Sequence, residues 1–145
     1  MRKFVLLLVA IVCLSSYVEA QTAKRKAVNT GQPNGLLSGA IVAGNLVYTS
    51  GQIGIDPKTQ QMAEGMEAQL EQVFRNLTAV LEASGSSIEH VVKATVFLAD
   101  MNDYNKMNEL YRKQFKGDPP ARSTVQVARL PRDARIEIEV VAVLK

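Results

Sequence analysis

The chain has 145 residues, 47% apolar and 21% charged, with a formal net charge of +3. That is ordinary globular composition with room for one domain and one core, and no repeat, low-complexity tract or linker suggests a second unit. Its first twenty residues are set apart from that unit. Arg2 and Lys3 precede an apolar run from Phe4 to Leu14, and Val18-Glu19-Ala20 has the small-x-small form of a signal-peptidase site. Residues 1–20 are therefore read as a signal peptide and residues 21–145 as the mature domain, secreted or periplasmic, with no membrane attachment after cleavage. Losing Arg2 and Lys3 against Glu19 lowers the charge from +3 to +2, so charge makes no case for nucleic acid. The only cysteine, Cys13, leaves with the signal, which excludes a disulfide, a thiolate metal site and a cysteine nucleophile from the product.

A polar lead, Gln21 to Asn34, is read as loop. From Ala40 to Thr49 two apolar bursts flank Gly44-Asn45, a hairpin-type dipeptide in reversed order, and a β-hairpin is read there. "TSGQIGIDPKTQ" follows as loop, with Pro57 preset for a turn and Asp56 able to cap it. Between Glu64 and Ala83, Met66, Leu70, Val73, Leu77, Val80 and Leu81 form a helical stripe that Gly85 closes. Val91 to Leu98 is β-branched and nearly continuous in its apolarity, the pattern of a central strand covered on both faces. A second helix starts near Asn102 or Asp103, either of which can cap it. It carries Tyr104, Met107, Tyr111 and Phe115 on one face and stops before Gly117. Strands Arg122 to Ala128 and Arg135 to Val143 complete the order ββαβαββ. The expected class is α+β, a single sheet with two helices on one face.

Several residues can carry chemistry. Alternation puts Arg122, Thr124 and Gln126 on one strand face, and that polar set is expected to point away from the core. Arg122 follows two prolines, Pro119 and Pro120, which stiffen its approach. Its planar fork can grip a carboxylate, or it can be a solvated edge arginine. On the last strand Ile136, Ile138 and Val140 point inward, with Glu137 and Glu139 outward. Either glutamate can orient a water, and spacing does not choose between them. Asn108 lies beside the apolar stripe of its helix and needs a partner, from neighbouring backbone or from a ligand. Ser50-Gly51 opens a glycine-containing loop whose N–H groups can receive an oxygen, as a plain turn also can. The sole histidine, His90, has no acid or nucleophile at motif spacing and is read as structural. There is no Gly-rich phosphate loop, HExxH or dinucleotide fingerprint, so no metal or cofactor is expected. Asn76-Leu77-Thr78 matches the N-glycosylation pattern.

In order and spacing, "YTSGQIGIDPKTQ", "VVKATVFLADMNDYNKMNELY", "PPARSTVQVARLP" and "IEIEVVAV" resemble the RidA family, also called YjgF, of reactive intermediate imine deaminases. The likeness runs from about Ala40 to the C-terminus. It implies a chorismate-mutase-like fold assembled as a homotrimer with clefts between subunits. It also implies hydrolysis of 2-imino or 2-enamino acids to 2-keto acids and ammonia, with no cofactor. By position, Arg122 matches the arginine that binds the substrate carboxylate and Glu137 the acid that orients the attacking water. Ser50 and Gly51 match the ligand-contacting loop, and Asn108 the helix asparagine lining the cleft. Leu37 stands in Gly35-Leu36-Leu37-Ser38, where the family commonly shows Gly-Pro-Tyr, and Thr124 stands where a cysteine is often found. The implied partners are a small 2-imino or 2-keto acid and further copies of the chain. A trimeric carboxylate-binding protein without efficient catalysis is the alternative that Leu37 favours.

Overall fold

A computed structural model of the chain describes residues 24–29 and 35–145. The expected signal peptide, 1–20, lies outside the described residues. The elements are β1 (Lys26–Val28), β2 (Ala40–Ala43), β3 (Leu46–Thr49), β4 (Gln52–Ile53), α1 (Gly65–Ala83), β5 (Val91–Leu98), α2 (Tyr104–Arg112), β6 (Ala121–Gln126) and β7 (Ile136–Val143). Short 3₁₀ turns occupy Ile88–His90, Met101–Asp103 and Pro131–Asp133.

The strands form one mixed sheet in the order β1-β2-β3-β7-β5-β6, with β4 also paired to β7. Only β5 and β6 run parallel. A parallel pair needs a crossover, and α2 supplies it. Two helices on one sheet make the α+β class expected from the element order.

The core lies between the helices and one sheet face. The α1 stripe buries Leu70, Val73, Leu77 and Leu81 against Val47, Val96, Leu98, Ile136 and Ile138 of the sheet. Burying one such side chain is worth about 1.5–3 kcal/mol. Gly85 ends α1 as expected: its φ is +84°, its N–H donates to Glu82 O, and the Ser86 N–H donates to Leu81 O. That pair of bonds is a Schellman closure, for which glycine carries no Cβ penalty.

Five sequence expectations change. The polar lead contains β1, whose only buried residue is Val28, and the loop after the hairpin contains the two-residue β4. Both are too short to show a period. Strand β5 has neighbours on both sides but is second from the edge, and only one of its faces is covered. Asp103 is the N-cap residue of α2 but makes no side-chain cap bond; that bond belongs to Asp100, which caps the 3₁₀ turn before it, its Oδ1 accepting from the Asn102 N–H at 2.9 Å. Asp100 is extended, which suits a cap, while the next three residues already turn.

The fifth change concerns direction. Residues level with one another across a ladder share a face. Arg122 is level with Ala94 and Val140, and Thr124 with Val96, all on the helix side. Arg122 and Thr124 thus point toward the core side, opposite to the expectation, while Val125 of the other set is 44% exposed. Glu137 is level with Phe97 and Val125, on the open face.

Candidate functional site

Arg122 sits at the head of β6 beneath α2. Its Nη2 donates to Asn108 Oδ1 at 2.5 Å and its Nη1 lies 3.6 Å from Met107 Sδ. The guanidinium carbon is 4.6 Å from the Tyr111 ring centre and 5.9 Å from that of Tyr104. Asn108 therefore has a side-chain partner, neither backbone nor ligand. A cavity of about 390 Å³ is lined here by Asn108, Tyr111, Arg112, Pro119, Pro120 and Arg122. Two buried oxygens nearby, Tyr111 Oη and Thr124 Oγ1, have no hydrogen-bond partner among the described residues. Burial pushes the Tyr111 hydroxyl up to about 12, with Arg122 opposing the shift.

Glu137 lines a different cavity, of about 360 Å³, with Leu37, Ser50, Gly51, Ile53 and Arg132 among its walls. Here β3 leaves the ladder at Thr49. The Thr49 hydroxyl accepts from the Val140 N–H at 3.0 Å and so takes the place of a strand partner. Ser50 turns the chain back, its N–H donating to Gly39 O at 3.0 Å and its hydroxyl to Ser38 O at 2.7 Å. A Cβ on Gly51 would stand 2.7 Å from the Glu137 carboxyl carbon, so the carboxylate packs over bare backbone. Burial, with Glu139 as a second cause, raises the Glu137 pKa above its usual value. Leu37 is 63% exposed at the mouth.

The structure thus gathers Leu37, Ser50, Gly51 and Glu137 at one place and Asn108, Arg122 and Thr124 at another. Within one chain the first set lines one cavity, and Asn108 and Arg122 line another that shares no wall residue with it. Arg132, in the left-handed region with φ +55°, borders the Glu137 cavity and donates from Nη2 to Gln60 O at 3.2 Å. Sequence reasoning missed Arg132, and it read Tyr104 and Tyr111 as core stripe only. The signal was there: Tyr104, Asn108 and Tyr111 lie at i, i+4, i+7, one helix face toward the arginine.

Two other candidates resolve as structural. The His90 Nδ1 is 2.8 Å from the Ser87 hydroxyl, and His90 lines neither cavity. The Asn76 side-chain nitrogen donates to Ile53 O and Ile55 O, at 3.1 and 2.9 Å, and a glycan on it would break this tie between α1 and β4.

A family model described as Endoribonuclease L-PSP matches residues 27–144. Among curated proteins, the chain is 45% identical over 131 residues to the chloroplastic Reactive Intermediate Deaminase A of Arabidopsis thaliana. That match spans 88% of this chain and 70% of the relative. It is 42% identical over 123 residues to the human 2-iminobutanoate/2-iminopropanoate deaminase, spanning 82% of this chain and 90% of the relative. Among solved structures, the YjgF gene product of E. coli superposes with a TM-score of 0.77 at 39% identity, over 83% of this chain and 99% of the other. E. coli TdcF with bound serine does so with a TM-score of 0.73 at 35% identity, over 82% and 94%.

Proposed function

The chain belongs to the Endoribonuclease L-PSP family, the one also called RidA or YjgF, and on that premise we propose that it hydrolyses 2-imino and 2-enamino acids to 2-keto acids and ammonia in clefts between its copies. The observation that carries this reading is the division of one chain into a guanidinium hollow and a carboxyl hollow with no wall residue in common, which we read as the two halves of a site. The deaminase names of the relatives support the reaction. The open sheet face, with Tyr48 and Val125 each more than two-fifths exposed, supports assembly of copies, as a homotrimer by family likeness.

In the proposed site Arg122 of one copy receives the substrate carboxylate through two parallel hydrogen bonds. Glu137 of the next copy holds a water against C2. An imine carbon is already electrophilic, and more so when protonated, so orientation supplies most of the rate. As the water oxygen bonds to C2, the C=N π pair moves to nitrogen and Glu137 accepts the water's proton. From the protonated imine, Glu137 then returns that proton to the amino nitrogen; as the C–N bond breaks with its pair leaving on ammonia, the carbinol proton passes to Glu137 and the O–H pair becomes the C=O bond of the 2-keto acid. A carboxyl with a raised pKa is better suited to these transfers than an ordinary one. Ser50 and Gly51 shape the floor beneath it, with Asn108 and Thr124 around the arginine. We propose that the product acts after export, with residues 1–20 removed.

The second reading is a small-carboxylate binding protein. Leu37, which has no hydrogen to donate at the mouth of the Glu137 cavity, favours it. One assay separates the two: ammonia release from an imino acid made in situ by an amino-acid oxidase. It should rise with this protein, vanish with Arg122→Ala, and slow with Glu137→Gln while 2-keto acid binding persists. Binding of 2-keto acids with no such release would select the second reading.

A further inference from the structure

An arginine that recognises a carboxylate must hold its fork still, because every freely rotating bond lost on binding weakens the complex. Arg122 is fixed on two sides. Asn108 Oδ1 takes Nη2, and the Tyr111 ring lies under the guanidinium at 4.6 Å, within cation–π range. Tyr111 is itself packed on several sides. It is 4% exposed, packs edge-on to Phe74 at 5.6 Å and leans on Phe115 at 5.0 Å. The aromatic trio joins α1, α2 and the segment after α2 into a rigid seat. Yet the Tyr111 hydroxyl bonds to nothing among the described residues. The ring is what the arrangement uses.

We propose that Tyr111 is a positioning residue for Arg122, its ring face orienting the guanidinium toward a ligand carboxylate while its hydroxyl contributes nothing. This rests on the carboxylate-binding role proposed above. With Asn108 on one edge and the ring on one face, the free N–H groups are left for the cavity bounded by Pro119 and Pro120. A 2-keto carboxylate entering there meets a fork whose plane is already set. The seat therefore acts on affinity for the charged end of the ligand and not on the reacting carbon.

The test compares the wild type with Tyr111→Phe and Tyr111→Met; methionine keeps the site filled but offers no π face. The first readout is the side-chain NMR of Arg122 in the ligand-free protein. Ring-current-shifted, slowly rotating guanidinium resonances are expected in the wild type and in Tyr111→Phe, and lost in Tyr111→Met. The second is affinity for 2-oxobutanoate and for its uncharged amide. Tyr111→Met should weaken the acid about tenfold and leave the amide unchanged, and in the deaminase assay it should raise KM for the imino acid without lowering kcat. Tyr111→Phe should match the wild type. Equal loss for acid and amide, loss with Tyr111→Phe, or unshifted Arg122 resonances in the wild type would overturn the inference. If the methionine variant does not fold, the wild-type and phenylalanine spectra still decide. A wild type that shows the NMR signature but no Arg122-dependent keto-acid binding would refute the carboxylate clamp and leave the seat standing.

Discussion

Glu137 and Gly51 illustrate how a single missing side chain sets a titration. The carboxyl lies where any Cβ at position 51 would stand, and partial burial disfavours its charge. Because its pKa is raised in the folded chain, the folded state binds more protons than the unfolded one across the interval between the two values. Stability therefore falls as pH rises through that interval. Glu137→Gln removes the effect. Its melting temperature should exceed the wild type's at neutral pH, and the gap should close as pH drops below the ordinary glutamate range. A gap that does not change with pH would mean that the carboxyl is not strained by its surroundings.

At the scale of elements, α1 holds the sheet through one buried stripe. Leu77 is completely buried in its middle. Leu77→Ala should cost about 2–5 kcal/mol in chemical denaturation, and a change below 1 kcal/mol would mean that the core closes around the void. This helix was legible because its period spans five turns and ends in a glycine of the required hand. The β2–β3 hairpin was legible from Gly44-Asn45, and β7 from strict alternation. The facing of β6 was not. Polar residues were expected outward, but parallel register with β5 fixes Arg122 and Thr124 on the helix side, and only the pairing partner reveals that. There the arginine is tolerated because aromatic rings and an amide receive it. Residues such as β1 and β4 gain strand geometry from their neighbours alone. The same limit holds for the candidate site, where motif likeness named Arg122 and Glu137 but could not say that one chain keeps them apart.

For the whole molecule, that separation makes a prediction about mixtures. If each cleft joins Arg122 of one copy to Glu137 of another, then Arg122→Ala and Glu137→Gln chains, the first inactive and the second slow by itself, should gain activity over either alone when unfolded together and refolded. Random pairing rebuilds roughly a quarter of the clefts. No recovery, with mixed oligomers verified by mass, would locate both groups' function within one chain. Strand β7 has a wider consequence. It pairs with β3, β4 and β5, all earlier in the chain, and sits between the hairpin and the parallel pair. Without it those two parts share no strand, so the sheet closes only through contacts distant in sequence, and such contacts govern the folding rate. A chain in that open state keeps its apolar stripes uncovered, and it would be a natural client for holding chaperones.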